Sequence, residues 1–197
     1  MPPENPFLPS TDNLDITFSH CRTHGCYRDL QFEDCLFEHC DFTKARFESL
    51  AFVDCRFIDC DLTMIDIPDS TFNGVVFERC RLRGVDWTKV SSGLLSLEFH
   101  ECVLDYGNFE DMKLKKTPFV KCSVVESTFD RAELRESDFS GSKLTKATFA
   151  NADLSRSDFR DTEGLALDLS ACKCSELKLR LADARGTLQM HGIRVSP

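Results

Sequence analysis

Three of the usual resources of a soluble protein are scarce or missing in this chain, and each absence excludes something. Aromatic variety is the first. Against 17 phenylalanines the 197 residues hold 2 tyrosines and 1 tryptophan, so one apolar ring serves a repeated structural purpose. Long apolar runs are also missing. No stretch approaches the ~18 residues of a membrane span, and the start, MPPENPFLPSTDN, has no basic segment followed by an apolar one. The chain therefore reads as cytoplasmic and without membrane contact. Paired ligand motifs are the third gap. There is no C-x-x-C pair and no histidine at zinc-finger offsets, so the 11 cysteines read as reduced thiols rather than as a disulfide framework or metal site. G-x-S-x-G, a phosphate-binding loop and H-E-x-x-H do not occur either. No catalytic, cofactor or metal residue is assigned, and the expectation is a protein that is not an enzyme.

What is present is a period of five. The stretch FEDCLFEHCDFTKARF places phenylalanine at 32, 37, 42 and 47, whereas a helix repeats apolar residues every three or four positions and a strand every two. Every fifth residue from Phe32 to Trp87 is large and apolar, with Leu62, Ile67 and Leu82 standing in for phenylalanine. Two positions earlier lies a smaller residue, as in Cys35, Cys40, Ala45, Cys55 and Ser70. After Trp87 the pattern breaks at TKVSSG and resumes two residues out of frame, through Leu94, Phe99 and Leu104 to Phe159. It is still legible at Leu169 and Leu179.

Two inward and three outward residues in every five fit a short extended piece followed by a turn. If four pieces close one square coil, residues 20 apart stack. Columns then hold one residue type, as in Phe32, Phe52, Phe72 or Phe99, Phe119, Phe139, Phe159. The cysteines fall into three columns on this count: Cys40, Cys60, Cys80; Cys35, Cys55; and Cys102, Cys122. They read as buried wall residues.

This spacing resembles the pentapeptide-repeat family from about residue 30 to 179, and ADLSRSDF at 152–159 is a near-ideal instance. The resemblance implies an all-β fold, a right-handed quadrilateral parallel β-helix with a C-terminal capping helix. At a strand spacing of ~4.8 Å the rod is roughly 35–40 Å long. Residues 1–13, with four of the seven prolines, read as a disordered tail. Residues 14–179 form the β-helix, ragged between Phe18 and Tyr27, and 180–197 the cap.

Departures from a repeat are where individuality lies. The break at 88–93 (Thr88, Lys89, Val90, Ser91, Ser92, Gly93) reads as a small corner loop, either a bulge that absorbs the frame change or a recognition element on a rigid scaffold. At the C-terminus Leu181, Ala184 and Leu188 return to helical spacing. In relatives such a helix caps the rod and joins two rods end to end. The resemblance thus implies a homodimer about 75 Å long through Leu177, Leu179, Leu181, Leu188, Met190 and Ile193; a cap on a monomer is the alternative.

Charge is uneven. Residues 30–87 hold 12 acids and 6 bases, and 88–197 hold 17 acids and 16 bases. Asp54, Asp59, Asp61, Asp66 and Asp69 concentrate acid on the first block, while Lys113, Lys115, Lys116 and Lys121 cluster on the second. An acidic chain is a poor direct binder of nucleic acid. The cysteine- and phenylalanine-rich first block, the break after GVDW, DTEGL at 161–165 and the ending MHGIRV resemble the topoisomerase-protecting members of the family, the Qnr group and the self-immunity proteins against albicidin and microcin. That resemblance implies a DNA-mimicking rod whose partner is DNA gyrase or topoisomerase IV. The break is short where the Qnr group has longer projecting loops, which leans toward the self-immunity type. A non-enzymatic scaffold for an unknown protein partner is the second reading.

Overall fold

The computed structural model describes residues 7, 12–91, 93–180, 184, 187–189 and 192. Each five-residue unit buries its ring position, exposes the residues beside it, and turns at the residue two beyond it. That corner residue is left-handed along most of the rod, as at Asp34 (φ 52°), Lys44 (φ 59°), Glu136 (φ 61°) and Asn151 (φ 60°), with Lys89, in a 3-10 turn, among the exceptions. An L-residue pays roughly 1–2 kcal/mol for that conformation. The rod tolerates it because the following unit must bend by a right angle to keep its own ring inside.

Corners come in two kinds, told apart by whether the residue three after the ring donates its N–H back to the ring residue's carbonyl. With Ala or Ser there, its N–H donates back to the ring residue's carbonyl, as Ala45 does to Phe42 (2.9 Å) and Ser157 to Leu154 (3.0 Å). With a positive φ at the third residue this is a type II turn. With Cys that N–H bond is not made, although the corner residue is left-handed as elsewhere, as at Asp59 (φ 53°). The Cys60 thiol donates to the Ile58 carbonyl two residues back (3.4 Å) and to the Phe37 carbonyl one coil below (3.3 Å).

Four sides follow. On the first, Asp12–Leu14, Gln31–Glu33, Ala51–Val53 and Thr71–Asn73 stack in parallel. The second is a six-stranded parallel ladder, Thr17–Ser19, Leu36–Glu38, Arg56–Ile58, Val75–Glu78, Leu97–His100 and Phe119–Val120. The third is held by single parallel bridges such as Asp61↔Arg81 and Ser123↔Lys143. The fourth starts with Cys26–Arg28 paired to Arg46–Glu48 and continues through Asp86↔Asn108 and Asn108↔Thr128. Inside, rings stack along the axis and meet edge-on across it. Phe37 and Phe57 lie 4.4 Å apart at 6°, whereas Phe129 and Phe139 meet at 88°, both favourable quadrupole geometries.

Register records every irregularity. Phe18↔Phe37 is a 19-residue step, Phe37↔Phe57 is 20, Phe77↔Phe99 is 22, and Phe99↔Phe119 is 20 again. The short first step explains the slipped repeat near Tyr27. The long one is the two-residue insertion expected after Trp87. It also corrects the cysteine columns. Cys102 bonds the Phe77 carbonyl as Cys80 bonds that of Phe57, so Cys102 and Cys122 continue the column of Cys40, Cys60 and Cys80.

Both ends carry a stopper. Phe7, in the stretch expected to be disordered, has its side chain 2% exposed, and its ring lies 4.7 Å from Tyr27 and 5.1 Å from Phe32; residues 1–6 and 8–11 lie outside the described residues. At the far end Ala184 and 187–189 are helical, and the buried Thr187 hydroxyl accepts from the Leu167 N–H (3.3 Å). Among the described residues no helix is long and apolar enough to cross a membrane.

Candidate interaction surface

The break departs from the fourth side at mid-rod. Asp86 caps a 3-10 turn over Trp87–Lys89, its carboxylate accepting from the Thr88 N–H (3.3 Å), the Thr88 hydroxyl (2.7 Å) and the Asn108 amide (3.1 Å). Lys89 reaches one coil down to Asp66 (2.9 Å). Ser91 then donates to the Ser70 carbonyl and Ser96 to that of Phe72, both at 2.9 Å. Between them Gly93 and Leu94 are exposed, while Leu95 packs partly buried against the core. Ser92 lies outside the described residues. Thr88, Lys89 and Gly93 are exposed, and Val90 and Ser91 are half-buried.

Frame arithmetic placed Leu94 in the inward column; the structure corrects this, with Leu94 78% exposed. Two surplus residues cannot be taken up along a straight side whose bridges fix both ends, so they bow outward and carry Leu94 with them. Beneath them opens a groove of about 700 Å³ lined by Trp87, Val90, Leu95, Met112 and Lys113. Trp87 closes the coil, buried against Phe77 and Phe99 and stacked on Phe109 (5.8 Å). Its Nε1 has no hydrogen-bond partner among the described residues, an arrangement that ordinarily costs about 1–3 kcal/mol.

The acidic set of the first block is not brought together. The five residues belong to nearly one coil, and the coil distributes them around its circumference. Asp54 turns the corner after the first side, Asp59 the corner after the second, Asp61 sits on the third, and Asp66 and Asp69 lie on the fourth and its corner. Three are engaged by bases one coil away. Asp59 takes both arms of Arg79 (2.9 and 3.0 Å), Asp61 faces Arg81 (3.5 Å), and Asp66 meets Arg46 and Lys89. The Arg79 bond holds the Asp59 carboxyl below its ordinary range. At Asp66 burial pushes upward, but the bond to Lys89 and the charges of Lys89 and Arg46 outweigh it and the carboxyl is lowered. Three lysines of the second-block cluster are likewise answered. Lys115 and Lys116 both approach Glu136, and Lys121 approaches Glu101.

Most of the thiols are buried in the wall. Burial pushes Cys55 up to about 12, and Cys21, nearer the end, to about 11, so neither carries appreciable thiolate at neutral pH. Among the described residues no cluster of three or more His, Cys, Asp or Glu could hold a metal ion. At the C-terminal end Leu177 and Leu179 pack partly buried against the core and Leu188 is half-buried; Leu181, Met190 and Ile193 lie outside the described residues. Spacing gave no reason to single out two other residues, Met64 and Tyr106. Both are more than half exposed at corner positions. The available signal was composition, since those corners otherwise take charged or small polar side chains.

A family profile for the pentapeptide repeat region matches residues 30–109 and 92–169. A search among curated proteins finds no match. Among solved structures, two trypsin-treated variants of QnrB1, a plasmid-mediated fluoroquinolone resistance protein, are similar from end to end. One superposes with a TM-score of 0.73 at 21% identity, over 93% of this chain and 99% of that one. The other gives 0.64 at 21%, over 94% and 100%. HetL, a pentapeptide repeat protein involved in heterocyst differentiation regulation from the cyanobacterium Nostoc sp. strain PCC 7120, is similar with a TM-score of 0.51 at 12% identity, over 85% and 88%. With the five-residue code written through its strands, corners and core, and the profile covering most of its length, the chain belongs to the pentapeptide-repeat family.

Proposed function

We propose that the protein is a topoisomerase-protection protein, a dimeric acidic rod that occupies the DNA-binding groove of DNA gyrase or topoisomerase IV and relieves poisoning by an antibiotic or peptide toxin. The observation that carries the reading is the end-to-end likeness in fold to a fluoroquinolone resistance protein. Shape and charge support it. The core is filled by stacked rings, so what the rod offers a partner is its outside. Its net charge is −9, so a dimer carries −18. Duplex DNA bears one charge per ~1.7 Å, or about 44 over ~75 Å. The rod therefore matches the length and sign of a DNA segment and supplies less than half of its charge. Additional contacts make up the difference in this reading, and the loop at 88–93 is assigned to provide them. A scaffold for another protein partner is the second reading, favoured by the likeness to HetL.

The test is a gyrase supercoiling and cleavage assay, with purified protein titrated against albicidin, a microcin-type peptide and a fluoroquinolone. Protection predicts restored supercoiling and less trapped cleavage with at least one poison. No rescue with any of them, and no effect on gyrase alone at high protein, leaves the scaffold reading standing.

A further inference from the structure

We infer that the fourth side at mid-rod is the docking face, and that its edge toward the third side carries an apolar ridge, Met64 and Tyr106 flanking Gly84, which seats against a basic protein surface. The inference rests on the topoisomerase reading for the identity of that surface. Three observations lead to it.

The first is chemical. The described left-handed corners hold 25 residues other than glycine, and 23 of them are charged or small and polar or histidine. Met64 (φ 55°) and Tyr106 (φ 61°) are the two that are not. They stand in one corner column, as the backbone bonds Met64 N–H to Arg83 carbonyl and Gly84 N–H to Asp105 carbonyl establish. Met64 is 58% and Tyr106 51% exposed. Between them Gly84 (φ 67°) has no side chain, and the atom a Cβ would meet there is Met64 Cγ at 3.5 Å. Two large apolar side chains thus rise about 10 Å apart, two strand spacings, with a notch between them.

The second is support. Arg83 lies over the Tyr106 ring at 5.4 Å and its guanidinium approaches Asp105 at 4.0 Å. The ring is therefore held up from below rather than left to collapse on the wall. Tyrosine, arginine and methionine are the residues that protein interfaces favour.

The third is the company the ridge keeps. On the three adjoining coils the fourth side and its far corner carry five carboxylates, Asp66, Asp69, Asp86, Glu110 and Asp111; Lys89 and Arg46 pair with Asp66 and Arg131 with Glu110 and Asp111, so five acids against three bases leave the face net acidic. Its opposite edge is the loop with exposed Leu94. Three of the four exposed large apolar side chains among the described residues, Met64, Leu94 and Tyr106, therefore border one acidic face; the fourth, Leu14, lies at the rod's end. Negative charge framed by apolar anchors fits a basic protein surface, with the charge steering the encounter and the ridge supplying the close contact.

The experiment measures binding of the full chain to DNA gyrase holoenzyme, using Met64→Ser with Tyr106→Ser and, as control, Leu14→Ser. Serine occupies a left-handed corner of this rod at Ser49 (φ 57°), so such a corner accepts it, and a melting curve verifies this. The expected result is at least about tenfold weaker binding for the ridge variant and less than about twofold change for the control. Wild-type binding with an unchanged ridge variant overturns the ridge while leaving the topoisomerase reading intact. A ridge variant that alters the protein's own sedimentation but not gyrase binding assigns the ridge to a second copy of this chain and overturns it too. Wild-type protein that does not bind gyrase sinks the topoisomerase reading, and the inference with it.

Discussion

At the scale of single residues, Ser137 and Cys60 meet the same need. In the regular coils a ring residue's carbonyl bonds at most the N–H three residues on, where the corner is tight, and a side-chain donor from the next coil satisfies it further. The Ser137 hydroxyl donates to the Leu114 carbonyl (2.7 Å), as the Cys60 thiol donates to that of Phe37 (3.3 Å). The Leu114 carbonyl also accepts the Thr117 N–H (3.2 Å), so Ser137→Ala should lose about 0.5–1.5 kcal/mol, the net worth of one hydrogen bond. Ser137→Cys should recover much of it, because sulfur keeps a weak donor in place. Urea unfolding at constant slope reads both; equal losses for Ala and Cys would remove the hydrogen bond from the account. The five-residue pattern made these positions legible as small and buried. It could not show that Cys and Ser differ from Ala, because the acceptor they serve lies 23 residues away, on another coil.

At the scale of elements, regular and irregular parts were legible to different degrees. Columns, register and the two-residue surplus follow from counting, since stacking at a fixed period leaves no other arrangement that buries every ring. Where a surplus goes is a different matter. Leu94 kept its place in the count and lost it in the structure, because bridges on both flanks left only the outside for the extra chain. Phe7 was illegible for the opposite reason. It lies outside the frame, among prolines, and its partners are the open end of the coil, with Phe18, Tyr27 and Phe32 all within 5.5 Å of its ring centre. An exposed terminal coil is the weak point of a solenoid, and Phe7 covers it. Phe7→Ala should destabilise by about 3–5 kcal/mol, as for other buried rings. In a rod whose coils touch only their neighbours the loss should stay local. Hydrogen exchange should accelerate at Thr23 and Tyr27 and hold steady around Phe139. Unchanged protection at the first coil would deny Phe7 the role of a stopper.

At the scale of the molecule, acidity has to be counted by side rather than by sequence block. The first block is acid-rich, yet its aspartates point in four directions and several are answered by arginine or lysine one coil away. A partner facing one side sees a fraction of the net charge. Doubling the rod end to end is then the most effective way to present a long acidic surface, because a two-fold axis repeats each side on the second copy. The C-terminal end is suited to it. Leu177 and Leu179 are only partly buried there, and Leu188 is half-buried in the helical segment that Thr187 ties to Leu167. Leu188→Asp places a carboxylate in that surface without touching the Thr187 bond. If the joint lies here, sedimentation should fall from a dimer to a monomer while the far-ultraviolet spectrum and the melting of the β-helix stay the same, since the rod's coils do not depend on the joint. Protection of gyrase should weaken in parallel, because two half-length rods no longer span the groove together. A dimer that persists through Leu188→Asp would move the two-fold contact elsewhere. A monomer that still protects at the same concentration would instead make one rod sufficient, and the length match to DNA irrelevant.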